Sequence, residues 1–257
     1  MAWRSSGTTN EELVEKLCLN KMIKSDVVKQ AFLKVDRGNY APSSPYADCP
    51  QTLGHGATIS APHMHASAAE DLLPTLQPPT DSDRPSSKAR RPKRVLDIGS
   101  GSGYLTHLLA ELLPTEAPLK PDTEGTDKVP ASVVGLEHIE ALRAMGERNM
   151  SKTEEGRALL ASGRVRFRLG DGRKGWVEPG EEGAGWDVIH VGAAAVTLHE
   201  ELVRQLRSPG RMFIPVEDEE GGEGQYIWAV DKDAEGVVTK KRLFGVRYVP
   251  LTDAPAQ

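Results

Sequence analysis

Cysteine is nearly missing from this 257-residue chain: Cys18 and Cys49 are the only two, and neither has a CxxC neighbour. Two such thiols do not make a disulfide framework, so a reducing, cytoplasmic compartment with both thiols free is expected. Long apolar runs are missing too. Nothing approaches the ~20 apolar residues that span a bilayer, and the opening MAWRSSGTTNEE has no apolar core of a secretory signal, so no membrane partner is expected. A basic excess is also lacking. The net charge of −5 and pI near 5.9 argue against a general nucleic-acid binder, without excluding a local basic groove. No internal repeat is visible. What remains is ordinary for a soluble globular protein, 38% hydrophobic and 27% charged. The chain is long enough to bury a sizeable core in one large domain or two small ones.

Two textures follow one another along the chain. Thr9 and Glu12 have capping-box spacing ahead of Leu13, Val14, Leu17 and Cys18, which predicts a first helix. A second is expected over Val27–Val35, opened by Ser25 or Asp26. The proline-rich stretch 39–51 reads as loop, and a third helix is expected from Pro62, at its first position, to Leu73. Residues 77–94, QPPTDSDRPSSKARRPKR, read as a flexible linker, its basic cluster solvated.

Beyond the linker, short apolar strands alternate with helices. RVLDIG (94–99), SVVGLE (132–137), VRFRLGD (165–171), WDVIHVG (186–192) and RMFIPV (211–216) are the strands. Helices are expected over 104–113, around 138–149 and near 197–207. Continuous apolar strands separated by helices imply a parallel sheet covered on both faces. YIWAV and the run from Lys240 to Leu251 read as antiparallel edge strands. The stretch 114–130 reads as a surface insertion and EDEEGGEG (217–224) as an acidic turn.

Four stretches carry chemistry, each at the C-terminal end of an expected strand. In VLDIGSGSGY (95–104), Gly99, Gly101 and Gly103 permit a tight turn and close backbone approach, and the following helix offers free N–H groups. The spacing is GxGxG rather than the dinucleotide GxGxxG, and no Lys-Ser/Thr pair makes it a phosphate loop. Asp97 would repel a pyrophosphate but suits a cation, which points to S-adenosylmethionine, with its ammonium and sulfonium. Glu137 can accept from ribose hydroxyls, or can simply open a helix. Asp171 and Gly172 could meet an adenine, though an Asp-Gly turn explains them as well. His190, between Ile189 and Val191, reads as a satisfied core histidine rather than a base; the small residues Gly192 to Ala195 leave room for a ligand.

GHGATISAPHMHA (54–66) is less transparent. It holds two hydroxyls, Thr58 and Ser60, and three imidazoles, His55, His63 and His65. A metal site is disfavoured, because His63 and His65 are two apart and diverge on a helix. With Pro62 at the first helical position, Ala61 is the cap and Ser60 could serve the helix end from just outside it.

Together, ATISAPHMHA, LDIGSGSGYLT, GDGR, DVIHVGAAA and YVPLTD resemble the protein-L-isoaspartate (D-aspartate) O-methyltransferase family, and the opening MAWRSSG is similar to its eukaryotic cytosolic form. The resemblance spans nearly the whole chain and lapses at 77–94, 114–130 and 217–224. It implies an α/β, Rossmann-like class I methyltransferase fold, with a mostly parallel sheet and extra N-terminal helices. Residues 1–76 would complete the active site, 77–94 would link, and 95–257 would form the donor-binding core and edge strands, all in one integrated domain. The implied activity is methyl transfer from S-adenosyl-L-methionine to isoaspartyl and D-aspartyl carboxylates of damaged proteins and peptides, leaving S-adenosyl-L-homocysteine and starting repair through a succinimide. The resemblance places the donor against Ala57, Thr58, Ile59, Ser60 and His65, then Asp97, Gly99, Ser100 and Gly101, and lastly Glu137, His138, Asp171, Gly172 and Thr252. The substrate would meet Ala57, Ile59, Ser60, His65, Val249 and Leu251. Ser60 is the catalytic candidate, as an orienting hydroxyl. The family is typically monomeric and metal-free.

Overall fold

The computed structural model describes residues 5–77, 92–114, 131–218 and 224–253. The expected linker and the expected insertion at 114–130 fall almost wholly outside the described residues; of the expected acidic turn, residues 219–223 do, and Asp218 N donates to Gly224 O across it.

Three helices lead. α1 (Asn10–Leu19) is capped by the Thr9 hydroxyl, which accepts from Glu12 N. The Glu12 carboxylate turns back to Thr8 rather than to Thr9, so the capping box closes one residue early. α2 (Asp26–Lys34) starts where Ser25 or Asp26 was expected to open it, yet the Ser25 hydroxyl does not cap it. It donates instead to Glu70 on α3 (Pro62–Leu76), joining the two helices. α3 runs one turn past the expected Leu73 and carries Pro74 inside it.

Between α2 and α3 lies an unexpected hairpin, β1 (Gln51–Gly54) and β2 (Ala57–Ile59). Its turn needs left-handed backbone at Gly54, His55 and Gly56, with φ of 90°, 53° and 72°. Two central residues with positive φ make the tight turn that suits strand twist.

The seven-stranded sheet has the order β5-β4-β3-β6-β7-β8-β9. β3 (Arg94–Ile98), β4 (Ser132–Glu137) and β6 (Trp186–Val191) are buried along their whole length. With β5 (Val165–Leu169) and β7 (Leu206–Glu217) they run parallel. β8 (Gln225–Lys232) and β9 (Val238–Val246) complete the sheet antiparallel. β9 stops short of the expected Leu251. The chain after it instead lies over the end of β6, with Ala194 N donating to Val249 O and Leu251 N to Ala194 O.

α4 (Tyr104–Leu112), α5 (Glu140–Met150) and α7 (Glu200–Gln205) fall where the apolar pattern predicts. A further helix, α6 (Glu154–Ala161), was not anticipated; Thr153 caps it. Alternate strand residues feed two hydrophobic clusters, one on each face. Val95, Val133 and Val188 join the first, with the N-terminal helices and α4; Leu96, Val134 and Ile189 join the second, with α7. By that alternation Asp97 faces the same side as Val95, toward α4. Among the described residues no helix is long and apolar enough to cross a membrane.

Candidate active site

The strand order reverses direction between β3 and β6, and open α/β sheets bind ligands at such switch points, outside the C-terminal strand ends. Register places Asp97 of β3 beside His190 of β6. Their side chains meet, His190 Nδ1 lying 2.8 Å from Asp97 Oδ1. The other carboxylate oxygen accepts from Thr106 Oγ1 of α4 at 2.6 Å. Asp97 is thus buried but held at both oxygens, as a buried carboxylate must be. His190 also stacks on Phe213, with centroids 5.9 Å apart. It is the satisfied buried histidine that its flanking residues suggested, and in addition it orients Asp97.

A cleft opens over this pair. Its wall includes Asp97, His190 and Gly192 from the sheet, Gly99, Ser100 and Gly101 from the glycine loop, and Thr58, Ile59, Ser60 and His65 from the hairpin and α3. Gly99, Gly101 and Gly103 all have positive φ. At Gly103, the N-cap of α4, a Cβ would also lie 3.0 Å from Gly146 Cα, so glycine there lets α5 approach as well as letting the loop turn.

Glu137, His138, Asp171, Gly172 and Thr252 are not on this wall. Glu137 stands at the end of β4 and accepts from three backbone N–H groups, those of Gly101, His138 and Ile139. It ties the glycine loop to the β4 end, and so already lies beside the loop that the donor would follow. Asp171 caps its own turn and pairs with Arg173 at 2.8 Å, which holds its carboxyl below the usual range. The Asp-Gly turn is therefore real, and it lies at the end of β5. Gly172 is buried, and a Cβ there would come 2.3 Å from Ile98 Cγ2. Leu251 packs on the same cluster as Ile98, whereas Val249 and Thr252 are exposed. Ala57 is half-buried on β2, outside the wall.

The helix-cap explanation of Ser60 fails. α3 has no side-chain cap at Ala61; Asp48 from the preceding loop accepts from His63 N at 3.0 Å instead. The Ser60 hydroxyl faces the Tyr248 phenol. Burial pushes that phenol up to about 12, although the nearby Ser60 hydroxyl pulls it down, so it is protonated at neutral pH. The two histidines of the motif part company. His63 Nδ1 lies 2.7 Å from Asp48, while His65 is buried against the Tyr104 ring and lies 3.3 Å from Arg37 Nη1.

His65 is held well below its ordinary 6.5 by burial first and then by the Arg37 charge. The folded protein keeps it neutral, while the unfolded chain takes up a proton below about pH 6.5. Its contribution to stability is therefore complete above that pH and is lost as pH falls, at about 1.4 kcal/mol per pH unit once the unfolded form is protonated. Denaturant titrations from pH 7 to 5 should show a shallower pH slope for His65→Gln than for the native chain. Identical slopes would place the proton uptake elsewhere.

Arg37, Tyr104, Thr106 and Tyr248 were not anticipated as part of the site. Tyr248 lay inside YVPLTD, so a signal existed; Arg37 sits in an unremarkable VDRGN and had none.

Residues 8–256 match the family model described as "Protein-L-isoaspartate(D-aspartate) O-methyltransferase (PCMT)". A Caenorhabditis elegans protein-L-isoaspartate O-methyltransferase is 39% identical over 257 residues, covering 100% of this chain and 98% of the relative. Protein-L-isoaspartate O-methyltransferase 1 of Arabidopsis thaliana is 38% identical over 255 residues, covering 98% and 95%. Among solved structures, a Plasmodium falciparum protein described as a protein-L-isoaspartate O-methyltransferase, in complex with S-adenosyl-L-homocysteine, superposes with a TM-score of 0.77 at 31% identity, covering 96% of this chain and 99% of that one.

Proposed function

Because the chain belongs to the protein-L-isoaspartate (D-aspartate) O-methyltransferase family, we propose that the cleft over Asp97 is its active site, with Ser60 orienting the substrate carboxylate. The activity is methyl transfer from S-adenosyl-L-methionine to the free carboxylate of L-isoaspartyl and D-aspartyl residues in damaged proteins and peptides. S-adenosyl-L-homocysteine is released, and the methyl ester starts repair through a succinimide. The observation that carries the site assignment is the convergence on one cleft of a buried carboxylate from the sheet, Asp97, and a hydroxyl from the hairpin–helix corner, Ser60.

Bound S-adenosylmethionine supplies an electrophilic methyl group on a sulfonium. The protein's part is to place and desolvate. Asp97 offers a fixed negative charge to the cationic end of the donor, and Gly99, Ser100 and Gly101 bring backbone close to it. Glu137, with His138 beside it, would exchange amide partners for ribose hydroxyls; Asp171, Gly172 and Thr252 would border the adenine side. The acceptor carboxylate is ionised at neutral pH, so no base is required. This agrees with a neutral His65 and with a His190 already committed to Asp97. Ser60 donates to the carboxylate; Thr58, Ile59 and His65 line the wall around it, and Ala57, Val249 and Leu251 would meet the substrate beyond that wall. Rate is gained by alignment and by exclusion of water from the nucleophile. The same reading has the enzyme acting as a cytoplasmic monomer that needs no metal, membrane or nucleic acid.

The test is a pair of peptides that differ only in one linkage. The enzyme should label the L-isoaspartyl peptide from radiolabelled donor and leave the L-aspartyl twin unlabelled. Equal labelling would defeat the assignment of substrate.

A further inference from the structure

Arg37 is an unusual residue to find in the core. It is fully buried in a short 3-10 turn, Arg37–Asn39, that follows α2. Asp36 closes this turn by accepting from Gly38 N, and Asn10 of α1 accepts from the Arg37 amide at 3.4 Å. The backbone of the turn is therefore held by α1 and by its own cap. Among the described residues no carboxylate lies within ion-pair distance of it. Asp48 supports its charge only through space; its Oδ1 is engaged by His63, and its Oδ2 is buried without a hydrogen-bond partner. Tyr104 lies under the guanidinium, 5.1 Å from ring centroid to Cζ, and Nε has no hydrogen-bond partner. A buried charge without a contacting counter-ion is costly, and replacing it with an apolar side chain would ordinarily be the more stable choice.

Its two contacts explain why it would be retained. Nη2 donates to the backbone carbonyl of Ser60 at 2.8 Å, and Nη1 lies 3.3 Å from His65 Nδ1. A guanidinium has only donors, so His65 Nδ1 must accept and its proton must sit on Nε2. Ser60 and His65 both line the cleft, while Arg37 stands behind them. We propose that Arg37 is a positioning residue that makes the cleft select an anionic acceptor: it fixes the Ser60 backbone, sets His65 as an Nε2–H donor, and carries the positive charge that the substrate carboxylate compensates. Methyl transfer removes that negative charge, so the neutral ester loses the attraction and leaves more readily. Burial works against the guanidinium charge, which is the strain that an incoming carboxylate relieves.

This inference rests on the carboxyl-methylation reading. A failure of that reading would appear as absent methylation of an isoaspartyl peptide by the native enzyme, whereas a failure here leaves methylation intact. The sulfonium of the donor could also attract a carboxylate, so the decisive binding experiment uses S-adenosyl-L-homocysteine, whose sulfur is neutral. Native enzyme saturated with it should bind an L-isoaspartyl peptide about tenfold or more tightly than its neutral isoasparaginyl twin by calorimetry. In Arg37→Met the advantage of the acid should vanish, the isoaspartyl peptide losing more affinity than its isoasparaginyl twin; Arg37→Lys should restore part of it. A merely structural Arg37 would weaken both peptides by the same factor and leave the preference intact. Equal binding of the two peptides by the native enzyme, or an undiminished preference in Arg37→Met, would overturn the proposal. If Arg37→Met does not fold, Arg37→Lys decides with the native comparison, since displacing the charge must reduce the preference.

Discussion

Asp97→Asn should weaken binding of S-adenosylmethionine by roughly thirty- to several thousandfold while leaving the protein folded. The magnitude follows from removing one partner of a buried, hydrogen-bonded charge pair, which costs about 2–5 kcal/mol, with each 1.4 kcal/mol worth about a factor of ten. The lower part of the range fits best, because Asp97 is already partnered by His190 and Thr106 and exchanges some of that hydrogen bonding for the ligand. The fold should survive for the same reason. Asparagine matches the shape of aspartate, can still accept from Thr106, and faces a His190 that can change tautomer. Calorimetric titration of donor and product, alongside a thermal melt, gives both readouts. A native dissociation constant in Asp97→Asn would show that the donor's cationic end lies elsewhere and that the Asp97–His190 pair serves only the sheet.

Ser60→Ala should act on the other reactant. Losing a hydrogen bond to a charged group costs about 1.5–3 kcal/mol, so turnover should fall roughly ten- to a hundredfold, with donor affinity little changed. The proximity of Tyr248 to Ser60 complicates the interpretation, since the substitution also removes a hydroxyl from beside the phenol. Tyr248→Phe separates the two effects: it leaves the Ser60 hydroxyl free to meet a carboxylate. If Tyr248→Phe slows turnover as much as Ser60→Ala does, the two hydroxyls act as a unit. If Ser60→Ala turns over at the native rate, the hydroxyl belongs to the fold rather than to the reaction. Single-turnover rates under saturating donor would distinguish these cases.

The parallel core was legible because its residues carry their own periodicity. VLDI, SVVGLE and WDVIHV are too apolar to face water on either side, so they had to be central strands, and β4 begins and ends where the apolar run does. The glycine loop and the acid before it were legible for a local reason: a strand-to-helix turn with positive φ at Gly99, Gly101 and Gly103 leaves few other residues possible. The hairpin at 51–59 was overlooked although Gly54-His55-Gly56 marks its turn, because each strand is too short to show alternation. α6 was overlooked because only Gly156 in it is buried, so it has no apolar stripe to reveal it.

The sequence by itself determined the order of the parallel strands, the glycine loop, the family and hence the chemistry, since each rests on residues close together in the chain whose backbone or burial demands are local. Only the tertiary structure decided which distant side chains share the cleft. Asp97 meets His190 because parallel register aligns β3 with β6; Ser60 meets Tyr248 because the chain after β9 returns over the end of β6; Arg37 comes to lie behind Ser60 and His65 because α1 and α2 pack it there. Such contacts span tens of residues, and nothing in the spacing of an arginine after VD distinguishes a buried guanidinium from a solvated one. The difference arises from what the fold packs around it.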